Sequence, residues 1–251
     1  MKWARFIAGG KQFTGYLDNT VIRAVKGDMF SDNWSETGET FFPDKVTFLA
    51  PCQPTKVVCI GLNYRDHAAE MKMDLPEEPI IFLKPPSSVI GHGGEIVHPG
   101  WIGRMDYEAE LVAVIGRRTK HATDENAGGS IFGYTCGNDV TARSLQKKDG
   151  QWARAKSFDT FCPLGPWIDT ELDAANAAIS LDVNGELKQQ STTAQLVFNP
   201  AQLVVLLSRV MTLEPGDVIL TGTPSGVGPL QKGDTVTVRI EGIGELVNSV
   251  T

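Results

Sequence analysis

Long apolar runs are missing from this 251-residue chain. No stretch approaches the ~20 residues needed to cross a bilayer, so no membrane-spanning helix is expected. Cysteine is scarce: the four residues Cys52, Cys59, Cys136 and Cys162 form no CxxC pair, which argues against a disulfide framework and for buried free thiols in a reducing compartment. An excess of basic charge is also absent. Lys and Arg number 23 against 30 Asp and Glu, giving a net charge of −7 that argues against a nucleic-acid partner. There is no internal repeat and no low-complexity tract. Met1 leads straight into a strand-like WARFIA run without the regions of a signal peptide, so a cytoplasmic location is expected. What remains is ordinary globular composition, 41% hydrophobic and 21% charged, at a length that holds one large domain with a small appendage.

Turn residues divide the opening into a β-meander, Lys2–Ile7, Lys11–Leu17 and Thr20–Val25. The polar segment Lys26–Phe42 has no clear period and is expected to be loop. A boundary is placed near residue 50, giving a small N-terminal β domain (1–50) and a larger domain (51–251). Beyond it, Val57–Gly61 and Ile80–Leu83 read as buried strands, and Asn63–Met71 as a helix capped by Asp66. Ser130–Asn138 reads as a strand feeding a helix at Thr141–Lys147. Asn184-Gly185 marks a type I′ hairpin, and Asn199-Pro200 a helix start. The total is β-rich with few helices, an α+β fold rather than an alternating Rossmann pattern.

Glu108 and Glu110 stand two apart in Asp106-Tyr-Glu-Ala-Glu-Leu. On a strand they share a face, about 6–7 Å apart, with Ala109 and Leu111 directed into a core. Half-buried carboxylates repel and lose hydration, so they need a counter-charge, and a hard divalent cation is one. Asp139, at a strand end, is the natural third ligand; decoration of an exposed edge strand is the plainer alternative. His67 and Glu70 share a helical face, where the carboxylate would orient the imidazole as a general base. Lys156 could steady an oxyanion, though most lysines are solvated. Thr221-Gly-Thr-Pro-Ser-Gly lacks a P-loop ending, yet its amides and hydroxyls could hold a carboxylate.

The ordered series Ile60-Gly-Leu-Asn-Tyr-Arg-Asp-His-Ala-Ala-Glu, Phe82-Leu-Lys-Pro-Pro-Ser-Ser, Asp106-Tyr-Glu-Ala-Glu-Leu, Asn138-Asp-Val-Thr-Ala-Arg, Ala155-Lys-Ser-Phe-Asp and Leu220-Thr-Gly-Thr-Pro-Ser-Gly resembles the fumarylacetoacetate hydrolase family from Thr55 to Val250. The resemblance implies a mixed β-sandwich or roll, a homodimer, and Mg²⁺ or Mn²⁺ held by Glu108, Glu110 and Asp139. It also implies a catalytic His67–Glu70 dyad on a lid with Lys156 nearby, and substrate contacts from Arg143, Gln146 and Thr223. The implied substrate is a small 2-oxo acid, and the implied chemistry a metal-stabilised enolate. Hydrolysis of an acylpyruvate-type 1,3-dioxo acid leads the expectations. Oxaloacetate decarboxylation comes second, and isomerisation or decarboxylation of a 2-hydroxyhepta-2,4-diene-1,7-dioate-type acid third.

Overall fold

The computed structural model describes residues 1–251. The chain opens with β1 (Lys2–Ala8), β2 (Lys11–Asp18), β3 (Val21–Gly27), β4 (Trp34–Phe41) and the short β5 (Thr47–Phe48). Next come β6 (Val57–Gly61), helix α1 (Arg65–Met71), β7 (Ile80–Lys84), β8 (Val89–Ile90) and β9 (Glu95–Ile96). β10 (Met105–Tyr107), β11 (Ala109–Ile115) and β12 (Ile131–Asn138) lead to β13 (Thr141–Ala142), α2 (Arg143–Asp149), α3 (Ala153–Lys156) and β14 (Cys162–Asp169). The last third holds β15 (Ala178–Val183), β16 (Glu186–Thr192), α4 (Pro200–Val210), β17 (Val218–Leu220), β18 (Gly228–Leu230), β19 (Thr235–Ile240) and β20 (Gly244–Val250). No helix is long and apolar enough to cross a membrane.

Ten strands run in the order β4-β3-β2-β1-β14-β12-β11-β17-β6-β7, with β5 attached to β1 and β8 to β14. The opening meander therefore continues the large sheet, through pairing of Lys2 with Asp169 and Trp3 with Ile168. A second sheet, β16-β15-β19-β20-β9, encloses the main core with it, where Leu111 and Cys136 share a cluster with Leu181, Val238 and Leu246. Elsewhere α4 covers the large sheet with Leu203, Val204 and Leu207, packed with Val58, Ala113 and Ile219. Its start is as expected: Asn199 accepts from Gln202 N–H, the Gln202 side chain answers the Asn199 N–H, and Pro200 opens the first turn. The Asn184-Gly185 hairpin also forms, with φ of 54° and 79° at the two residues.

Three local expectations are corrected. Trp34–Phe41 is a strand on β3, not loop. Its middle is exposed on both faces, so no apolar alternation marks it, and its two ends anchor it, Trp34 edge-on to Trp3 and Phe41 against Phe6 and Phe13. Helix α1 begins at Arg65, and Asp66 does not cap it; the Asp66 carboxylate accepts from its neighbour His67 N–H at 2.7 Å and from the Ser191 hydroxyl at 2.5 Å. Helix α2 begins at Arg143 rather than Thr141, because Thr141–Ala142 pair with Met105–Asp106 first.

Central strand β11 is buried along its whole length. One face carries Ala109, Leu111, Ala113 and Ile115, all apolar. The other begins with the carboxylates Glu108 and Glu110 and continues with Val112 and Val114. Only its first end is polar, and that is the end where neighbouring β12 and β17 stop. The parallel partner of β17, β6, stops there as well. Four chain segments thus converge on one edge of the sheet.

Candidate active site

At that edge lies a cavity of about 750 Å³. All the side chains singled out above line it: His67, Glu70, Glu108, Glu110, Asp139, Arg143, Gln146, Lys156 and Thr223. Glu108 falls between β10 and β11, and its N–H leaves the sheet ladder to reach the Asn138 side-chain oxygen at 3.0 Å. The Asp139 N–H in turn donates to the Glu108 carbonyl at 2.9 Å. This exchange at the end of β12 brings the two carboxylates together. Glu108, Glu110 and Asp139 each offer an oxygen within 4.8 Å of the others, and all three residues are buried.

Their counter-charges are unequally shared. Lys156 donates to Glu108 at 2.8 Å and to Asp139 at 2.5 Å, its ammonium 5.0 Å from the Phe82 ring centre. Lys84, equally buried, donates to Asp139 at 2.6 Å and to the Val140 carbonyl at 3.1 Å. Arg143 reaches Glu108, Asp106 at 2.8 Å and the Gln146 side-chain oxygen at 2.6 Å. Glu110 has no cation on its oxygens and accepts only from the Gly222 N–H at 2.6 Å, which a φ of 99° at Gly222 presents to it.

The electrostatics follow from that inequality. Burial alone would raise the Glu108 carboxyl, but Lys156 and Arg143 overcome it and hold the pKa at about 2. Burial, then Asp139 and Glu108, push Glu110 well above the ordinary carboxylate range. Burial would lower Lys156, yet the same two carboxylates hold it above its usual value, so it stays an ammonium. Two of its three N–H groups are taken by these carboxylates, which leaves one to donate elsewhere in the cavity.

A hard divalent ion fits this donor set. Three carboxylates converge, and one of them lacks any cation of its own. Ion binding at Glu110 requires its ionised form, so protons compete. The apparent affinity for Mn²⁺ is expected to rise about tenfold per pH unit while Glu110 is protonated, then level off. Calorimetry in buffers of different ionisation enthalpy would read the released proton; an affinity flat from pH 5.5 upward would contradict it. For the ion-free fold the sign is opposite. Glu110 favours its protonated form there, so its contribution to stability falls as pH rises from the ordinary glutamate range through the raised folded value.

The dyad sits across the cavity. Glu70 faces His67 Nδ1 at 3.0 Å and accepts from the Gly226 N–H at 3.1 Å. In the neutral ring, a carboxylate opposite Nδ1 favours the hydrogen there and the lone pair on Nε2. Helix α1 is fixed by Arg65, which donates to the Leu196 carbonyl at 2.8 Å, and by Asp66. Thr223 Oγ1 accepts from Gln189 at 2.9 Å, leaving its hydroxyl hydrogen free to donate. Four supporting residues escaped the sequence reading. Lys84 looks like a strand terminus before Pro85-Pro86, and Asp106 like part of an acidic run. Asn138 opens the Asn138-Asp-Val-Thr-Ala-Arg motif with no role assigned to it, and Gln189 carries no sequence signal; Gln189 also accepts from the Ala109 N–H at 2.9 Å.

Comparison with known proteins bears on the whole chain. Residues 56–251 match the family model described as Fumarylacetoacetate (FAA) hydrolase C-terminal, and residues 1–51 match the model Rv2993c-like, N-terminal. Oxaloacetate tautomerase Fahd2a of Rattus norvegicus is 44% identical over 218 residues, 82% of this chain and 70% of that protein. Among solved structures, 2-hydroxyhepta-2,4-diene-1,7-dioate isomerase from Mycobacterium marinum superposes with a TM-score of 0.93 at 40% identity, covering 100% of this chain and 98% of that one. Maleylpyruvate hydrolase from Sphingobium sp. SYK-6 superposes with a TM-score of 0.84 at 30% identity, covering 100% and 99%.

Proposed function

Because the chain belongs to the fumarylacetoacetate hydrolase family, we propose that it moves a proton at C3 of a small 2-oxo acid, interconverting enol and keto forms, with Mg²⁺ or Mn²⁺ held by Glu108, Glu110 and Asp139. The observation that carries this reading is the placement of His67, oriented by Glu70, in the same cavity as the three carboxylates. The bound ion would act as a Lewis acid, lowering the cost of negative charge on the 2-oxo oxygen. Thr223 would donate its free hydroxyl hydrogen to the substrate carboxylate. His67 Nε2 would take or return the C3 proton, and Glu70 would hold the imidazole and balance its charge when protonated. Lys156 and Lys84 would fix Asp139 rather than meet the substrate. The names of the rat and M. marinum relatives, a tautomerase and an isomerase, favour this reading over cleavage and move it ahead of the hydrolysis expected from sequence.

Acylpyruvate hydrolysis is the second reading, favoured by the cavity wall. Met71, Met73, Ile80, Phe82 and Trp152 form an apolar side suited to an acyl arm. There the same imidazole would activate water towards the distal carbonyl.

One set of assays tests both. Ion-loaded protein is expected to speed the ultraviolet decay of enol-oxaloacetate, and His67→Ala to slow that by about 10²–10⁴-fold, the usual contribution of a general base, without changing ion binding. Cleavage of acetylpyruvate faster than oxaloacetate tautomerisation would make hydrolysis the leading activity. Full tautomerase activity in His67→Ala would remove the dyad from the mechanism.

A further inference from the structure

A second cavity, of about 950 Å³, lies where the opening meander meets the rest of the chain, and its wall contains Arg5. Arg5 is only 7% exposed. Its guanidinium donates to one protein acceptor, the Ala50 carbonyl at 2.9 Å, and forms no ion pair. Most buried arginines face a carboxylate or phosphate, because the planar fork is costly to bury alone. The one acid in the cavity wall, Asp44, pairs with Lys45 at 2.9 Å instead. Burial pulls the Arg5 pKa below its ordinary value, as expected of a cation without a counter-charge.

The surroundings define what could supply that charge. Phe48, Val89 and Ile90 line the cavity with apolar surface, while Gln12 and Gln53 bring side-chain amides that bond to no other protein group. The volume is that of a small-molecule site. We infer that this cavity binds a small organic carboxylate, its anionic end paired with Arg5 and its apolar body against Phe48, Val89 and Ile90. The site is separate from the acidic cavity, and none of the residues named for catalysis touches it.

The test is calorimetric titration of the full-length, ion-loaded protein with benzoate, with and without oxalate. Saturable one-to-one binding is expected, indifferent to oxalate and weakened at least tenfold in Arg5→Met. Gln12→Glu, at an exposed position that folding tolerates, should weaken it similarly by placing a negative charge at the mouth, so the test stands even if Arg5→Met fails to fold. Benzyl alcohol should bind at least tenfold more weakly than benzoate. Absence of benzoate binding, equal affinity in Gln12→Glu, displacement by oxalate, or tighter binding of inorganic phosphate or benzyl alcohol would each overturn the inference.

Discussion

Glu110→Gln is expected to lose two things together: the rise in melting temperature expected of the wild type with Mn²⁺, and at least about a hundredfold of its turnover, since a Lewis acid contributes several kcal/mol to such a transition state. At an ion concentration near 100 times Kd, binding stabilises the fold by about 2.7 kcal/mol. For a chain of this size that corresponds to roughly 5–10 °C. The less obvious expectation concerns the ion-free state. Glu110 is a buried carboxylate facing Glu108 and Asp139, with a single amide N–H for company. Glutamine keeps its shape and its bond to Gly222 while removing the repelled charge. Ion-free Glu110→Gln should therefore melt at or above the temperature of the ion-free wild type at neutral pH. Scanning calorimetry of both proteins, with EDTA and with Mn²⁺, separates the effects. A variant still stabilised by Mn²⁺ to the wild-type extent would exclude Glu110 from the ion site.

The second large effect lies away from the cavity. Asp217 is fully buried at the turn before β17, and its carboxylate accepts from the Thr55 N–H at 2.9 Å, the Thr55 hydroxyl at 2.7 Å, the Lys56 N–H at 3.1 Å and the Glu214 N–H at 2.8 Å. The Lys56 ammonium completes the set. These contacts set the parallel register of β6 on β17, Val57 opposite Val218. Asp217→Ala strands several buried donors at once, and breaking a buried charged hub of this kind costs about 3–5 kcal/mol. The melting temperature should fall by roughly 6–20 °C. Asp217→Asn keeps an acceptor oxygen and should lose less. Urea denaturation would check the ranking; a loss below about 1 kcal/mol in Asp217→Ala would mean that the amides find other acceptors.

What could be read from the sequence was what the sequence writes locally. Glu108 and Glu110 announce themselves by spacing, the hairpin by Asn184-Gly185, and helix α4 by Asn199-Pro200 with apolar residues on one face. The strand Trp34–Phe41 does not, because it is exposed along most of its length and the contacts that anchor its ends, Trp34 on Trp3 and Phe41 on Phe6 and Phe13, join residues about 30 positions apart. Asp139 is placed with the two glutamates by its position at a strand end and by the family resemblance; the geometry that brings them together, Asn138 and Asp139 exchanging hydrogen bonds with Glu108, is tertiary. Lys84 is the clearest case of hidden information. Its ion pair with Asp139 spans 55 residues, and nothing in Phe82-Leu-Lys-Pro-Pro marks the lysine as buried. Lys156 stands out in Ala155-Lys-Ser-Phe-Asp, but its two carboxylate acceptors, Glu108 and Asp139, lie 48 and 17 residues away and are visible only in the folded chain.

The pairing of Lys2 and Trp3 with Asp169 and Ile168 has a consequence for synthesis. Strand β5 covers Phe6 and Ile7 soon after they are made, but the edge at Lys2 and Trp3 waits for Ile168 and Asp169, and the second edge of β6 waits for residues 218–220. Until then two apolar strand edges are open to any passing chain. Productive folding is thus a late, nearly whole-chain event, slow by virtue of its distant pairings, and nascent protein should lean on chaperones well before any ion can bind.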